Sequence, residues 1–202
     1  MRVIVGCETS GRVREAFRKL GNDAWSCDIL PADDGSKYHH QCDLVELMKR
    51  DPSWDLGIFH PPCTYLSSSG LHWNKRVPGR QEKTDEALNF VRFLMALPIR
   101  MKAIENPIGC ISSKIRKPDQ IIHPYMFGDD ASKATCLWLF GLPKLTHTHM
   151  VKPRMVNGLP RWSNQTDSGQ NKLSPSADRW KLRSETYPGI ANAMADQWGD
   201  PL

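Results

Sequence analysis

Two short segments carry the side chains best suited to chemistry. His60-Pro61-Pro62-Cys63 closes an apolar run from Trp54 to Phe59, and Glu105-Asn106-Pro107 follows a second run from Met101 to Ile104. A cysteine placed after two prolines lies on backbone whose φ is restricted and which cannot continue a ladder, so its thiol is expected at the edge of a sheet. That edge is where open α/β sheets bind ligands. A thiol there is a candidate nucleophile, and a carboxylate beside it a candidate acid or base. Each piece also has a plainer reading. One cysteine among six is most often a small buried hydrophobe, and Glu-Asn-Pro alone can be a strand end with a turn.

The elements that must position these groups follow from the apolar patterning. Arg2 to Gly6 reads as a buried strand, Cys7-Glu8-Thr9-Ser10-Gly11 as a loop, and Arg12 to Leu20 as an amphipathic helix ended by Gly21. Asn22 to Asp28 is a second strand that closes on an acid. Strand, loop, helix, strand and acid in this order form the first half of a nucleotide-binding α/β unit, with Asp28 placed to hold ribose hydroxyls. The loop has one glycine before the helix, so it is not a Gly-x-Gly-x-x-Gly fingerprint, and Asp28 also has the reading of a strand-end cap. A polar excursion covers Pro31 to His40, a short helix Asp43 to Met48, and a strand Trp54 to Phe59. Thr64 to Gly79 reads as a long loop carrying Ser67, Lys75 and Arg76, followed by a helix from Gln81 to Leu97. Met101 to Glu105 and Thr135 to Phe140 are further strands. Thr146 to Arg179 shows little period, and Pro188 starts a last helix through Gly189 to Trp198.

A chain of 202 residues is expected to form one domain, here with an irregular insert at about 144–186. Hydrophobic content of 40% and charged content of 24% suit a soluble globular protein, and no run approaches the roughly 20 apolar residues needed to span a bilayer. The opening Met-Arg-Val-Ile-Val-Gly reads as a strand with no secretory h-region, so a cytosolic location and no membrane partner are expected. The cysteines show no Cys-x-x-Cys spacing, and His147 and His149 lack a third ligand nearby, so neither a bound metal nor a disulfide framework is expected. The formal charge of +5 weakly favours polyanions. Between Lys144 and Arg183 the cations, Arg161 and Arg179 among them, are interleaved with Trp162 and Trp180. That mixture suits phosphate contact plus base stacking, or equally a solvated loop region anchored by two tryptophans.

The order Val3-Ile4-Val5-Gly6-Cys7-Glu8, Asp28, Asp43, Pro61-Pro62-Cys63 and Glu105-Asn106 resembles the cytosine-5 DNA methyltransferases, in particular their short phage-type members. The resemblance covers Arg2 to Gly141 and Gly189 to Trp198. It implies a Rossmann-like class I methyltransferase fold, a mostly parallel sheet with helices on both faces, and S-adenosylmethionine as cofactor. It further implies that the Cys63 thiolate attacks carbon 6 of cytosine, that Glu105 holds ring nitrogen 3 and the exocyclic amine, and that carbon 5 takes the methyl group. Cys7, Glu8, Thr9, Ser10 and Gly11 would cradle the methionine part of the cofactor, Asp28 the ribose and Asp43 the adenine side. Pro61 would line the floor, and Asn192 would serve from the last helix. Where the family places Gln-x-Arg-x-Arg, this chain has Ser132-Lys133-Ala134-Thr135, which makes Lys133 the substitute for a cytosine-contacting arginine. Lys133, Lys75 or Arg76 would help to ionise Cys63.

The partner implied is DNA. Ser67, Lys75, Arg76, Arg161, Trp162 and Arg179 are the candidate contacts, with Ser67 to Trp73 closing over a flipped base. The short insert implies relaxed sequence preference, since reading several base pairs needs a substantial surface. Two other readings stay open: methylation of a free cytosine nucleotide such as dCMP, and a non-catalytic nucleic-acid-binding protein that keeps the fold. Cys63 at the position after the prolines disfavours methylation of an exocyclic amine.

Overall fold

The computed structural model describes residues 1–176 and 179–199. The chain runs β1 (Arg2–Gly6), α1 (Arg12–Lys19), β2 (Asp23–Asp28), β3 (His39–Gln41), α2 (Leu44–Arg50) and β4 (Leu56–Phe59). It continues through α3 (Ser68–Leu71), α4 (Arg80–Ala96), β5 (Met101–Pro107), α5 (Ile111–Lys114), β6 (Gln120–Ile122) and β7 (Thr135–Phe140). A hairpin of β8 (Arg154–Val156) and β9 (Leu159–Arg161) precedes α6 (Arg179–Ser184) and α7 (Pro188–Trp198).

Seven strands form one sheet in the order β3-β2-β1-β4-β5-β7-β6. All pairs from β3 to β5 are parallel, whereas β7 runs antiparallel to both β5 and β6. The strand order reverses between β1 and β4, so the crevice beyond their carboxyl ends is the topological switch point where such sheets hold ligands. Alternation along β1 explains why helices cover both faces. Val3 and Val5 enter one core with Phe17 of α1 and Ile190, Met194 and Trp198 of α7. Ile4 enters the other with Leu47 of α2, Phe59, Leu88 and Leu94 of α4, and Trp138. A strand buried on both faces must be apolar at every position, as Val-Ile-Val is.

Two glycines have positional reasons. A Cβ on Gly189 would lie 1.9 Å from the carbonyl oxygen of Phe127, so only glycine lets α7 start against that loop, where Asp129 accepts its N–H at 2.9 Å. Asn157 and Gly158 both take positive φ, 51° and 75°, which is the tight turn that a two-residue hairpin between β8 and β9 requires.

The fold differs from the sequence expectation in four places. Trp54 lies outside β4: its ring is buried, but its Nε1 donates to the Asp51 carbonyl at 2.9 Å and the ladder begins at Leu56. The edge strands β3 and β6, each three residues long, went unread because His-His-Gln and Gln-Ile-Ile are too short to show a period. Thr64 to Gly79 is not an open loop. It carries α3 and a 3-10 turn over His72–Lys75, pinned to α4 where Arg80 and Thr84 donate to the Thr64 and Tyr65 carbonyls. The stretch 146–179 contains the small hairpin, and α6 begins at its end. Among the described residues, no helix is long and apolar enough to cross a membrane.

Candidate active site

The register of β4 on β5 pairs Phe59 with Ile104, so the next residues, His60 and Glu105, meet at the carboxyl edge. His60 Nδ1 lies 2.9 Å from Glu105 Oε2, and both side chains are nearly enclosed, 9% and 12% exposed. Asn106 donates from Nδ2 to the Pro61 carbonyl at 2.7 Å, tying the start of the Pro-Pro-Cys segment to the end of β5. Pro61 is buried, and two residues later Cys63 is exposed. The Cys63 carbonyl then accepts the amides of Leu66 and Ser67 at 3.0 and 2.9 Å, turning the chain into α3.

The electrostatics of the pair oppose each other. Burial alone would raise the Glu105 carboxyl, but the His60 hydrogen bond and charge, with help from Lys133 and the Thr135 hydroxyl, bring it below its ordinary value. Glu105 is therefore an ionised group in the resting site. Cys63 is pushed up by partial burial and then by the Glu105 charge, while Lys133 and Arg183 pull it back. Lys133 and Arg183 are the cations whose charge acts most on the thiol. Lys133 donates to the carbonyls of Arg183 at 2.8 Å and Glu185 at 3.5 Å, so its ammonium is held by the C-terminal end of α6 and the residue after it.

The loop after β1 lies beside this pair, at the switch point. Cys7 takes a positive φ of 60° and is pushed up to about 12 by burial, with added pressure from the Asp28 and Asp43 charges, so both carboxylates converge on it. Asp28 accepts the Leu30 amide at 3.0 Å through Oδ1, and among the described residues its Oδ2 accepts no hydrogen bond. Beside it Ile29 and Leu30 are 70% and 44% exposed. A carboxylate oxygen free for a diol, next to open apolar surface for a flat ring, fits the ribose and adenine of S-adenosylmethionine.

Glu8 has a different place. Its carboxylate is buried and accepts the Val13 amide at 2.9 Å and the Arg14 amide at 3.5 Å, filling the start of α1, where Gly11 offers no side-chain cap. Burial raises its carboxyl, opposed by His60 and by those amides. Thr9 donates its hydroxyl to Asp33 at 3.0 Å, and Ser10 to Glu8 at 3.3 Å, so the loop is held from within. Asn192 stands on the exposed face of α7, with no hydrogen bond to the loop among the described residues. A cavity of about 400 Å³ beside α1 is lined by Arg12, Asn164, Lys172, Glu185, Tyr187 and Pro188.

Asp43 caps α2, accepting the Val45 and Glu46 amides at 2.7 and 3.2 Å through Oδ1. Asp43→Ala is expected to lower stability by about 1 kcal/mol and Asp43→Asn to leave it near the parent's, because asparagine caps as well as aspartate. Urea denaturation midpoints distinguish the two outcomes.

The candidate nucleic-acid residues fall in two groups. Ser67 precedes α3 and pairs as an isolated bridge with Gly109, while Lys75 and Arg76 are exposed, with the Arg76 guanidinium 5.7 Å from the Trp73 ring. In the insert, Trp162 stacks on Tyr125 with ring centroids 4.2 Å apart, so one face of its indole is covered. Arg161 donates to the carbonyls of Asp167 and Pro160, and Arg154 pairs with Asp167 at 2.6 Å. Arg179 opens α6, its Nε buried without a hydrogen-bond partner among the described residues. Asp178 and the Trp180 side chain lie outside the described residues.

Sequence reasoning singled out Cys63, Glu105 and Lys133, and the structure brings their charges together. It missed His60 and Asn106 as members of the site. Both sit inside the quoted motifs, but only the pairing of β4 with β5 shows what they touch.

The sheet order, the antiparallel β7 and the site at the switch point define a Rossmann-like fold of the class I methyltransferase type. No protein-family model matches the chain, and no curated protein matches it by sequence. Among solved structures it is similar to a candidate DNA modification methyltransferase encoded within an Escherichia coli prophage, at 17% identity and a TM-score of 0.50, over 78% of this chain and 53% of that one. It is also similar to the Schizosaccharomyces pombe Dnmt2 methyltransferase at 18% identity and a TM-score of 0.47, over 71% and 51% of the two chains. The first likeness shows the fold, in agreement with the topology. The chain spans about half the length of these structures.

Proposed function

We propose that this chain is a single-domain, cytosolic cytosine-5 DNA methyltransferase that works through a covalent Cys63 adduct. The observation that carries the reading is an exposed thiol beyond the carboxyl end of β4, with the Glu105 carboxylate at the end of β5 held by His60 and Lys133 acting on both groups. S-adenosylmethionine, when bound, supplies an electrophilic methyl group. The Cys63 thiolate adds to carbon 6 of the target cytosine, and Glu105 delivers a proton to ring nitrogen 3. Carbon 5 thereby becomes nucleophilic and takes the methyl. Transfer of the carbon 5 proton to water, expulsion of the Cys63 thiolate from carbon 6 and return of the nitrogen 3 proton to Glu105 restore both residues. Since Cys63 is pushed up and Glu105 rests ionised, substrate binding must favour the reactive protonation states, and Lys133 lowers the cost of the thiolate. Asp28 would hold the ribose, and the segment from Ser67 would close over a base withdrawn from the stack.

One observation favours a second reading. Two arginines of the insert are engaged within it, and Trp162 is partly covered, so little of that region is built to read duplex sequence. A free cytosine nucleotide would need no such surface.

The test is transfer of labelled methyl from S-adenosylmethionine to duplex DNA, single-stranded DNA and dCMP. The expected product is 5-methylcytosine in DNA. Label on dCMP alone would move the activity to nucleotide modification, and cofactor binding without transfer to any of the three would reject the enzymatic reading.

A further inference from the structure

One polar atom in the site has no assigned task. His60 exposes only 9% of its side chain, and while Nδ1 is engaged by Glu105, Nε2 is buried with no hydrogen-bond partner among the described residues. A ring with one nitrogen unpaired is an expensive way to fill a buried space, and a phenylalanine would fill it without an orphaned atom. From the cofactor side, the fully buried carboxyl of Glu8 lies close enough for the His60 charge to act on it. The Nδ1 contact ties the imidazole at the end of β4 to the carboxylate at the end of β5. We propose that His60 is the positioning residue of this site, fixing the orientation of the Glu105 carboxylate from the end of β4.

The inference rests on the reading of Glu105 as the carboxylate that engages the cytosine ring. The bond from His60 to Oε2, with the Thr135 hydroxyl as a second partner of the carboxylate, fixes how the group is turned toward ring nitrogen 3. Charged groups act on the site from several elements. Glu105 faces the imidazole from β5 and Glu8 from the loop after β1; the Arg14 charge acts on Glu8 from α1, and Lys133 acts on Glu105 from the segment before β7. Cys63 follows on the same turn, its thiol in reach of the Lys133 and Arg183 charges. The imidazole holds one oxygen of Glu105 by a hydrogen bond, and its charge favours the carboxylate form of that residue.

The variants are His60→Asn, whose amide can replace the Nδ1 donor without a charge, and His60→Phe, which replaces neither. Carbon-13 NMR of labelled glutamate carboxyls follows Glu105 directly, alongside the pH profile of methyl transfer. In His60→Asn the Glu105 titration is expected to rise, because the charge of the ring is lost, with the matching limb of the pH profile shifted in the same direction. His60→Phe should additionally lower kcat across the pH range, with KM for S-adenosylmethionine within about two-fold, as expected when substrate and cofactor binding are untouched. A Glu105 titration or pH profile unchanged in His60→Asn would overturn the proposal. If neither variant folds, nitrogen-15 spectra of histidine-labelled parent and Glu105→Gln protein decide it: a His60 titration indifferent to Glu105 rejects the coupling. The NMR readouts need no methyl transfer, so failure of the coupling and failure of the proposed reaction are separable.

Discussion

Cys63→Ala is expected to reduce methyl transfer by about 10⁵-fold or more, a loss in the range seen when a covalent nucleophile is removed. Fold and cofactor binding should be unaffected. Cys63 is exposed, its backbone carbonyl rather than its thiol anchors the following turn, and surface substitutions of this kind change stability by less than about 0.5 kcal/mol. Single-turnover transfer of labelled methyl, with thermal unfolding of the same samples, separates chemistry from folding. A variant that keeps a tenth of the parent rate would remove the covalent step from the mechanism.

Glu105→Gln should produce two changes of opposite sign. Methyl transfer falls by about 10²- to 10⁴-fold, the usual contribution of a positioned acid. The thiol, by contrast, becomes more reactive. Glu105 is the charge that, after burial, pushes Cys63 up, so its removal lowers the thiol's pKa and enlarges the thiolate fraction at any pH below it. Alkylation of Cys63 by iodoacetamide, followed against pH by mass spectrometry, should therefore rise at lower pH in the variant than in the parent. A slower or unshifted alkylation profile would show that the two groups do not share a field. The opposed signs also guard against a trivial explanation, because a merely damaged site would not speed one reaction while slowing the other.

Parts of this arrangement were legible in the residues themselves. The β1, α1 and β2 unit is written in Val3-Ile4-Val5, the amphipathic run from Arg12 and the turn at Gly21, since local burial and capping decide each of them. Cys63 and Glu105 stand out because each ends an apolar segment, and proline fixes the backbone before the thiol. The partners of those groups are another matter. His60 and Glu105 are 45 positions apart, as are Pro61 and Asn106, and they meet only through the register of β4 on β5. Nothing local encodes that register. For the same reason β3 and β6 were unread: a three-residue edge strand exists because a neighbour offers it hydrogen bonds. In the insert the basic and aromatic composition suggested free contacts, yet Arg154, Arg161 and one face of Trp162 are engaged by neighbours that composition does not reveal.

The tether from Lys133 to the carbonyls of Arg183 and Glu185 joins the site to a distant part of the fold. Residues 50 and 52 positions away in the chain hold the cation whose charge acts on both Cys63 and Glu105. The electrostatics of the thiol are therefore shared between the sheet that carries it and the irregular segment that follows the sheet.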